Sequence, residues 1–194
     1  LLLGAEPFDD TVPSIAPAPS RADSFDGRPA CQEQFTRVWP QMVAPQPADE
    51  AYRRLYYHLH QLVDRAIGRI LDALDASGMA DDTIVVFTSD HGDLLGAHGG
   101  LQQKWANAYD EAIRVPLLVK GPGVAPAADG VAIPTSHVDL IPTLIGLAGI
   151  DVEAASAEVA RTHTQTRPLV GRDLSGVLAG TTPAAEVAGP IYFM

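Results

Sequence analysis

Between Asp81 and Gly123 the sequence reads DDTIVVFTSDHGDLLGAHGGLQQKWANAYDEAIRVPLLVKGPG. Two apolar runs, Ile84–Phe87 and Val115–Val119, are joined by a dense polar segment. Continuous apolar runs of this length, bounded by turn residues, predict strands buried on both faces. Pro116 must then sit at the start or on an edge of the second strand, because it cannot donate to a ladder. The joining segment holds Asp90, His91, Gly92, Asp93, His98, Lys104, Tyr109, Asp110, Glu111 and Arg114. In an α/β sheet, ligands collect beyond the carboxyl ends of strands, so Asp-His-Gly after the first run marks a candidate site. Successive strand residues point to opposite faces. Asp90 and His91 can meet at one ion only if the chain leaves the strand there, and Gly92 permits that turn.

The flanking segments supply the frame. Residues 49–77 predict a long helix, with Asp49 at its start and Gly78 at its end. Leu55, Leu59, Leu62, Val63, Ala66, Ile67, Ile70, Leu71 and Leu74 recur at the helical period as a core-facing stripe. A helix, a short turn and a buried strand make half of a parallel α/β unit. Asp139–Ala148 predicts a short helix with Asp139 as its cap and Pro142 in its first turn. Asp151–Thr166 is weakly patterned, Leu169–Leu178 predicts a turn of helix, and Ile191–Phe193 a last short strand. Residues 1–48 differ: eight of the sixteen prolines fall there, and repeated prolines block helix interiors and central strands. The expected organisation is an extended, irregular Pro-rich arm over 1–48 and an α/β domain over 49–194.

Composition narrows the partners. The net charge of −11 argues against general binding to nucleic acid or to an anionic membrane surface. No apolar run has bilayer length, and Leu1–Leu3 is too short for the core of a signal peptide. Cys31 stands alone, which excludes an internal disulfide framework and fits a reducing, cytoplasmic location. The chain opens without methionine inside an apolar triplet, and reads as a piece of a longer protein.

Five segments together resemble the sulfatase family of the alkaline-phosphatase-like superfamily. They are Tyr56–Leu74 (YYHLHQLVDRAIGRILDAL), Asp82–Gly99 (DTIVVFTSDHGDLLGAHG) with Lys104, Tyr109–Gly123 (YDEAIRVPLLVKGPG), Ser136–Gly149 (SHVDLIPTLIGLAG) and the Gly171-Arg172-Asp173-Leu174 turn. The resemblance spans roughly residues 52–180. It implies part of an α/β/α sandwich with a mostly parallel sheet. It also implies half of an active site: Asp90 and His91 as metal ligands, and Lys104 as a catalytic residue touching the sulfuryl oxygens of a sulfate ester. The family's cation is most often Ca²⁺; a histidine ligand also admits Mg²⁺, Mn²⁺ or Zn²⁺. Asp93 and His98 are candidates either to support the metal or the lysine, or to hold the loop by hydrogen bonds. Tyr109, Asp110, Glu111 and Arg114 are expected to hold the loop against the sheet, with Glu111 and Arg114 spaced for an ion pair.

Two features depart from the family pattern. His98 and Lys104 are six residues apart where five is usual. No Cys/Ser-x-Pro-x-Arg motif is present to become the family's formylglycine nucleophile. Pro17-Ala18-Pro19-Ser20-Arg21 imitates its tail but carries proline at the nucleophile position, and Cys31 lacks the following Pro and Arg. The expected role is therefore the C-terminal portion of a sulfatase, inactive alone, completed by a missing N-terminal half. The rival expectations are a phosphodiesterase or phosphonate monoester hydrolase of the same superfamily, and a non-catalytic anion-binding module.

Overall fold

A computed structural model describes residues 12–42, 49–105, 107–127 and 130–191. These form two compact units, one from residues within Leu1–Ala80 and Thr88–Leu117, the other from residues within Asp81–Phe87 and Leu118–Met194.

The first unit contains α1 (Ala30–Met42) and α2 (Asp49–Ser77), then the short helices α3 (Ala97–Gly100) and α4 (Asp110–Ile113). α1 corrects the expected irregular arm. Residues 30–39 form a proline-free window, Pro29 stands just before the helix, and Pro40 falls near its end, where few interior bonds are lost. The rest of the expected arm outside residues 12–42 lies beyond the described residues. Residues 14–21 strap the start of α2 by polar contacts: Arg21 Nε donates to Asp49 Oδ2 at 2.8 Å, and Arg53 Nε donates to the Ile15 carbonyl at 2.8 Å.

α2 has the expected bounds, and Gly78 (φ 73°) follows its end in the left-handed region that glycine adopts without strain. Its stripe is a second correction. Leu59, Leu62, Val63, Ile70 and Leu71 are exposed, Ile70 to 67%, and the buried residue of α2 is Arg53. Helical periodicity reports which face is apolar; it does not supply the surface that covers it. The buried apolar residues of this unit are Val12, Leu94, Ala97, Leu101 and Ala112.

β1 (Val85–Thr88) pairs with β2 (Leu117–Lys120) in a two-stranded sheet, most of whose residues belong to the second unit. Just past β2, a Cβ on Gly121 would meet the Thr83 carbonyl oxygen at 2.6 Å and Ile84 Cα at 2.7 Å, just before β1. The end of one strand lies beside the start of the other, so the pair is antiparallel. Among the described residues there is no parallel pair, in contrast to the expected parallel unit. Both runs are apolar enough for strands, but their pleated faces do not reveal strand direction.

α5 (Leu140–Leu147), α6 (Val152–Thr162), α7 (Ser175–Leu178) and α8 (Ala184–Val187) complete this unit. α6 occupies the stretch expected to be weakly patterned; Asp151 caps it by accepting the Ala154 N–H at 2.8 Å. Asp139 is a more central residue than a helix cap. It closes a capping box with Ser136, and it accepts the Arg172 backbone N–H at 2.8 Å and Arg172 Nη2–H at 2.7 Å. Arg172 also donates to the Pro134 and Val187 carbonyls. A Cβ on Gly171 would overlap the Val138 carbonyl, so only glycine lets this turn approach the helix start. Ile191 has no regular structure, and the remainder of the expected last strand lies outside the described residues. No single helix among the described residues is long and apolar enough to cross a membrane.

Candidate active site

All the sequence-nominated site residues fall in the first unit, on the loop that follows β1. The chain turns out of the strand at Ser89, whose hydroxyl donates to the His91 carbonyl at 2.8 Å. Gly92 then passes directly over α4. Its N–H donates to the Ala112 carbonyl at 2.9 Å, and a Cβ there would overlap the Glu111 carbonyl oxygen. The close approach, more than the freedom of a turn, makes glycine necessary. Gly92→Ala is expected to destabilise this unit by about 1–3 kcal/mol through overpacking. An unchanged chemical-denaturation midpoint would contradict that contact.

Asp90 and His91 converge. Asp90 Oδ2 lies 3.4 Å from His91 Nε2, and Asp90 Oδ1 accepts the His91 backbone N–H at 3.0 Å. His91 Nδ1–H donates to the Gly92 carbonyl at 2.7 Å. A carbonyl can only accept, so the Nδ1 proton is fixed and the neutral ring keeps its lone pair on Nε2, beside the carboxylate. The Asp90 side chain is 83% exposed. Partial desolvation pushes its pKa up, but the His91 ring, nearby backbone N–H groups and the charge of Lys104 outweigh this and lower it. Asp90 thus stays ionised near neutral pH. A carboxylate and an imidazole lone pair side by side fit a divalent cation as two of its ligands. Among the described residues no group of three or more His, Cys, Asp or Glu forms a metal cage.

Lys104 is half-buried, with Nζ 5.8 Å from the centre of the Trp105 ring. Its charge is the smallest of the influences that lower the Asp90 pKa. Asp93 organises the loop that carries it. Asp93 Oδ1 accepts the backbone N–H groups of Leu95 (2.8 Å) and Gln103 (3.1 Å); Oδ2 accepts from the Tyr52 hydroxyl and Gln103 Nε2, both at 3.1 Å. The phenol of Tyr52 is pushed up to about 12, first by burial and then by the Asp93 charge. Tyr52 and Gln103 were not nominated from the sequence. Tyr52 is distant in the chain and matches no motif, and Gln103 is visible only as the neighbour of Lys104.

His98 stacks on Tyr109 and donates from Nε2 to both Glu111 oxygens at 3.1 Å. Glu111 therefore pairs with His98, and the expected Glu111–Arg114 pair is corrected. Arg114 leaves the short helix as its C-cap, where its N–H donates to the Asp110 carbonyl at 2.8 Å.

The sulfatase family model matches residues 16–150. The chain belongs to the sulfatase family. The choline-sulfatase of Rhizobium meliloti (strain 1021) is 42% identical over 103 residues, covering 52% of this chain and 19% of that protein. A solved 2-O GAG sulfatase shares the fold with a TM-score of 0.71 at 23% identity, covering 92% of this chain and 36% of that one. The phosphonate monoester hydrolase of Silicibacter pomeroyi reaches a TM-score of 0.63 at 28% identity, covering 88% and 32%. This is an alkaline-phosphatase-like protein, and it spans about a fifth of the length of the choline-sulfatase it matches.

Proposed function

We propose that this sulfatase-family chain is the part of a sulfuric ester hydrolase that bears two metal ligands and a sulfate-contacting lysine. The observation that carries this reading is the pairing of the Asp90 carboxylate with a tautomer-fixed His91 Nε2, on the loop that also carries Lys104. Asp90 and His91 would hold a divalent cation, with Ca²⁺ first and Mg²⁺, Mn²⁺ or Zn²⁺ as alternatives. When bound, that cation supplies Lewis-acid polarisation of the sulfuryl oxygens and a template for the ester. Lys104 adds a fixed positive charge where negative charge grows on the oxygens in the transition state.

Two ligands and a lysine do not complete such a site. The attacking group and the remaining ligands come from the rest of a sulfatase domain. The uncovered stripe on α2 supports this completion, because five large aliphatic side chains on one helix face are exposed to water. The 194-residue chain by itself is expected to show no metal-dependent turnover.

The test uses the sulfatase polypeptide that carries this chain, assayed on a sulfate ester, a phosphate diester and a phosphonate monoester. Peptide mass mapping is run in parallel for a formylglycine. Dominant sulfate-ester turnover with a converted residue supports the proposal. The phosphonate hydrolase similarity favours one second reading, and dominant phosphonate turnover without formylglycine would establish it instead. Clear turnover by the isolated chain would sink the division of the site between segments.

A further inference from the structure

The loop that ends at Lys104 carries an unusual backbone. His98 (φ 50°), Gly99 (φ 86°) and Gly100 (φ 90°) are left-handed in succession. Left-handed glycines are ordinary, but a left-handed histidine is disfavoured by its Cβ and persists only when its surroundings hold it there.

Those surroundings come from two other segments of the same unit. The His98 ring lies 3.8 Å from Tyr109, nearly parallel at 9°, and its Nε2–H donates to the Glu111 carboxylate. Nδ1 faces Asp23 Oδ2 at 3.8 Å. The His98 backbone N–H donates to Ser20 Oγ at 3.1 Å, and its carbonyl accepts from Arg28 Nη1 at 3.3 Å. Arg28 in turn donates to Asp23 at 2.7 Å and lies 5.7 Å from the Tyr109 ring centre. The imidazole is 19% exposed, while its partners Asp23 and Glu111 are 38% and 42% exposed.

The two glycines are closely packed. A Cβ on Gly99 would meet Phe25 Cζ at 2.7 Å, and one on Gly100 would meet Arg21 Nη1 at 2.6 Å. Leu101 follows, fully buried, with its carbonyl accepting the Gly96 N–H at 2.7 Å. Lys104 lies three residues beyond that anchor. Asp93 fixes the near side of Lys104 through Gln103; His98 fixes the turn from which the segment departs.

We propose that His98 is a positioning residue for Lys104. Clamped between Glu111, Tyr109 and Asp23, it locks the left-handed turn that sets where the lysine ammonium sits. The role of that ammonium in turnover rests on the reading under Proposed function; the positional claim does not.

The sequence provides a clean test, because Lys104 and Lys120 are its only lysines. Reductive ¹³C-methylation keeps their charge and gives two lysine NMR signals beside that of the terminal α-amine, and that of Lys104 senses the Trp105 ring. His98→Asn suits the test because asparagine tolerates the left-handed region, so the backbone is preserved while the ring contacts are lost. The expected result is that the Lys104 signal moves towards that of free dimethyl-lysine while the Lys120 signal stays. An unmoved Lys104 signal in the folded variant overturns the proposal. If His98→Asn fails to fold, Glu111→Gln in the folded chain decides by the same criterion.

A double-mutant cycle in the sulfatase polypeptide separates positioning from general stability. His98→Asn should lower kcat roughly 10–100-fold when Lys104 is present, and change little when Lys104 is already alanine. Independent, multiplicative losses would overturn the coupling. Full activity of Lys104→Ala would instead remove the catalytic reading of the lysine, a failure distinct from that of an unmoved NMR signal.

Discussion

Replacing Lys104 with alanine in the sulfatase polypeptide is expected to lower kcat for a sulfate ester by about 10²–10³-fold, the usual loss when one preorganised charge or donor at a developing oxyanion is removed. The lysine is half-buried on a loop fixed by Asp93 on one side. An ammonium held there needs no reorganisation as charge grows on the sulfuryl oxygens. KM should change less than kcat, because the interaction strengthens in the transition state. Lys104→Arg should restore only part of the rate, since a planar guanidinium places its donors differently from a compact ammonium. Steady-state kinetics of both variants check this. A loss of less than about threefold for Lys104→Ala would show that the lysine does not touch the transferred group.

The second large effect concerns folding. Arg172→Ala is expected to destabilise the second unit by about 3 kcal/mol, the low end for breaking a buried ion pair. Asp139 is 4% exposed, and removing its partner strands a carboxylate inside the protein. Arg172 itself keeps 26% of its side chain in water, which moderates the effect. The loss also removes donors to the Pro134 and Val187 carbonyls, so three chain segments separate at once. Chemical denaturation followed by circular dichroism reads the change; a midpoint within experimental error of the parent would contradict it.

The same pair sets a pH dependence. Burial alone would raise the Asp139 pKa, but bonds and charge from Arg172, with the Ser136 N–H, lower it below the ordinary 3.8. The unfolded chain then binds this proton more readily than the folded one, so stability rises with pH across that range. The contribution of the pair is complete above the ordinary carboxyl value and is lost as pH falls through the lower folded value. Arg172→Ala should flatten this acid limb of the stability profile.

The sequence was most legible where a local rule decides the outcome. The α2 helix ends at Ser77, before Gly78, because left-handed termination depends on neighbouring residues alone; at its start the Asp49 carboxylate accepts from the distant Arg21. Asp90 and His91 stand out by their place after an apolar run and Lys104 by the family resemblance; the fold brings the first two within 3.4 Å. The α1 helix was obscured because prolines were counted over 48 residues, whereas a helix needs only a clear window of ten. Asp139 looked like a helix cap because its partner Arg172 is 33 residues away.

What the sequence by itself determined is the helix of residues 49–77 and, through five matching segments, membership of the sulfatase family. The helix follows from its period and its end signals, and the family from the order of the matching segments, all of which are legible along the chain. Only the tertiary structure decided that β1 and β2 are antiparallel, that Glu111 serves His98 instead of Arg114, and that the α2 stripe is exposed. Each of these depends on contacts between segments distant in the chain. A one-dimensional pattern states what a residue can bond to; the partner it receives is fixed by which segments the fold brings within a few ångströms.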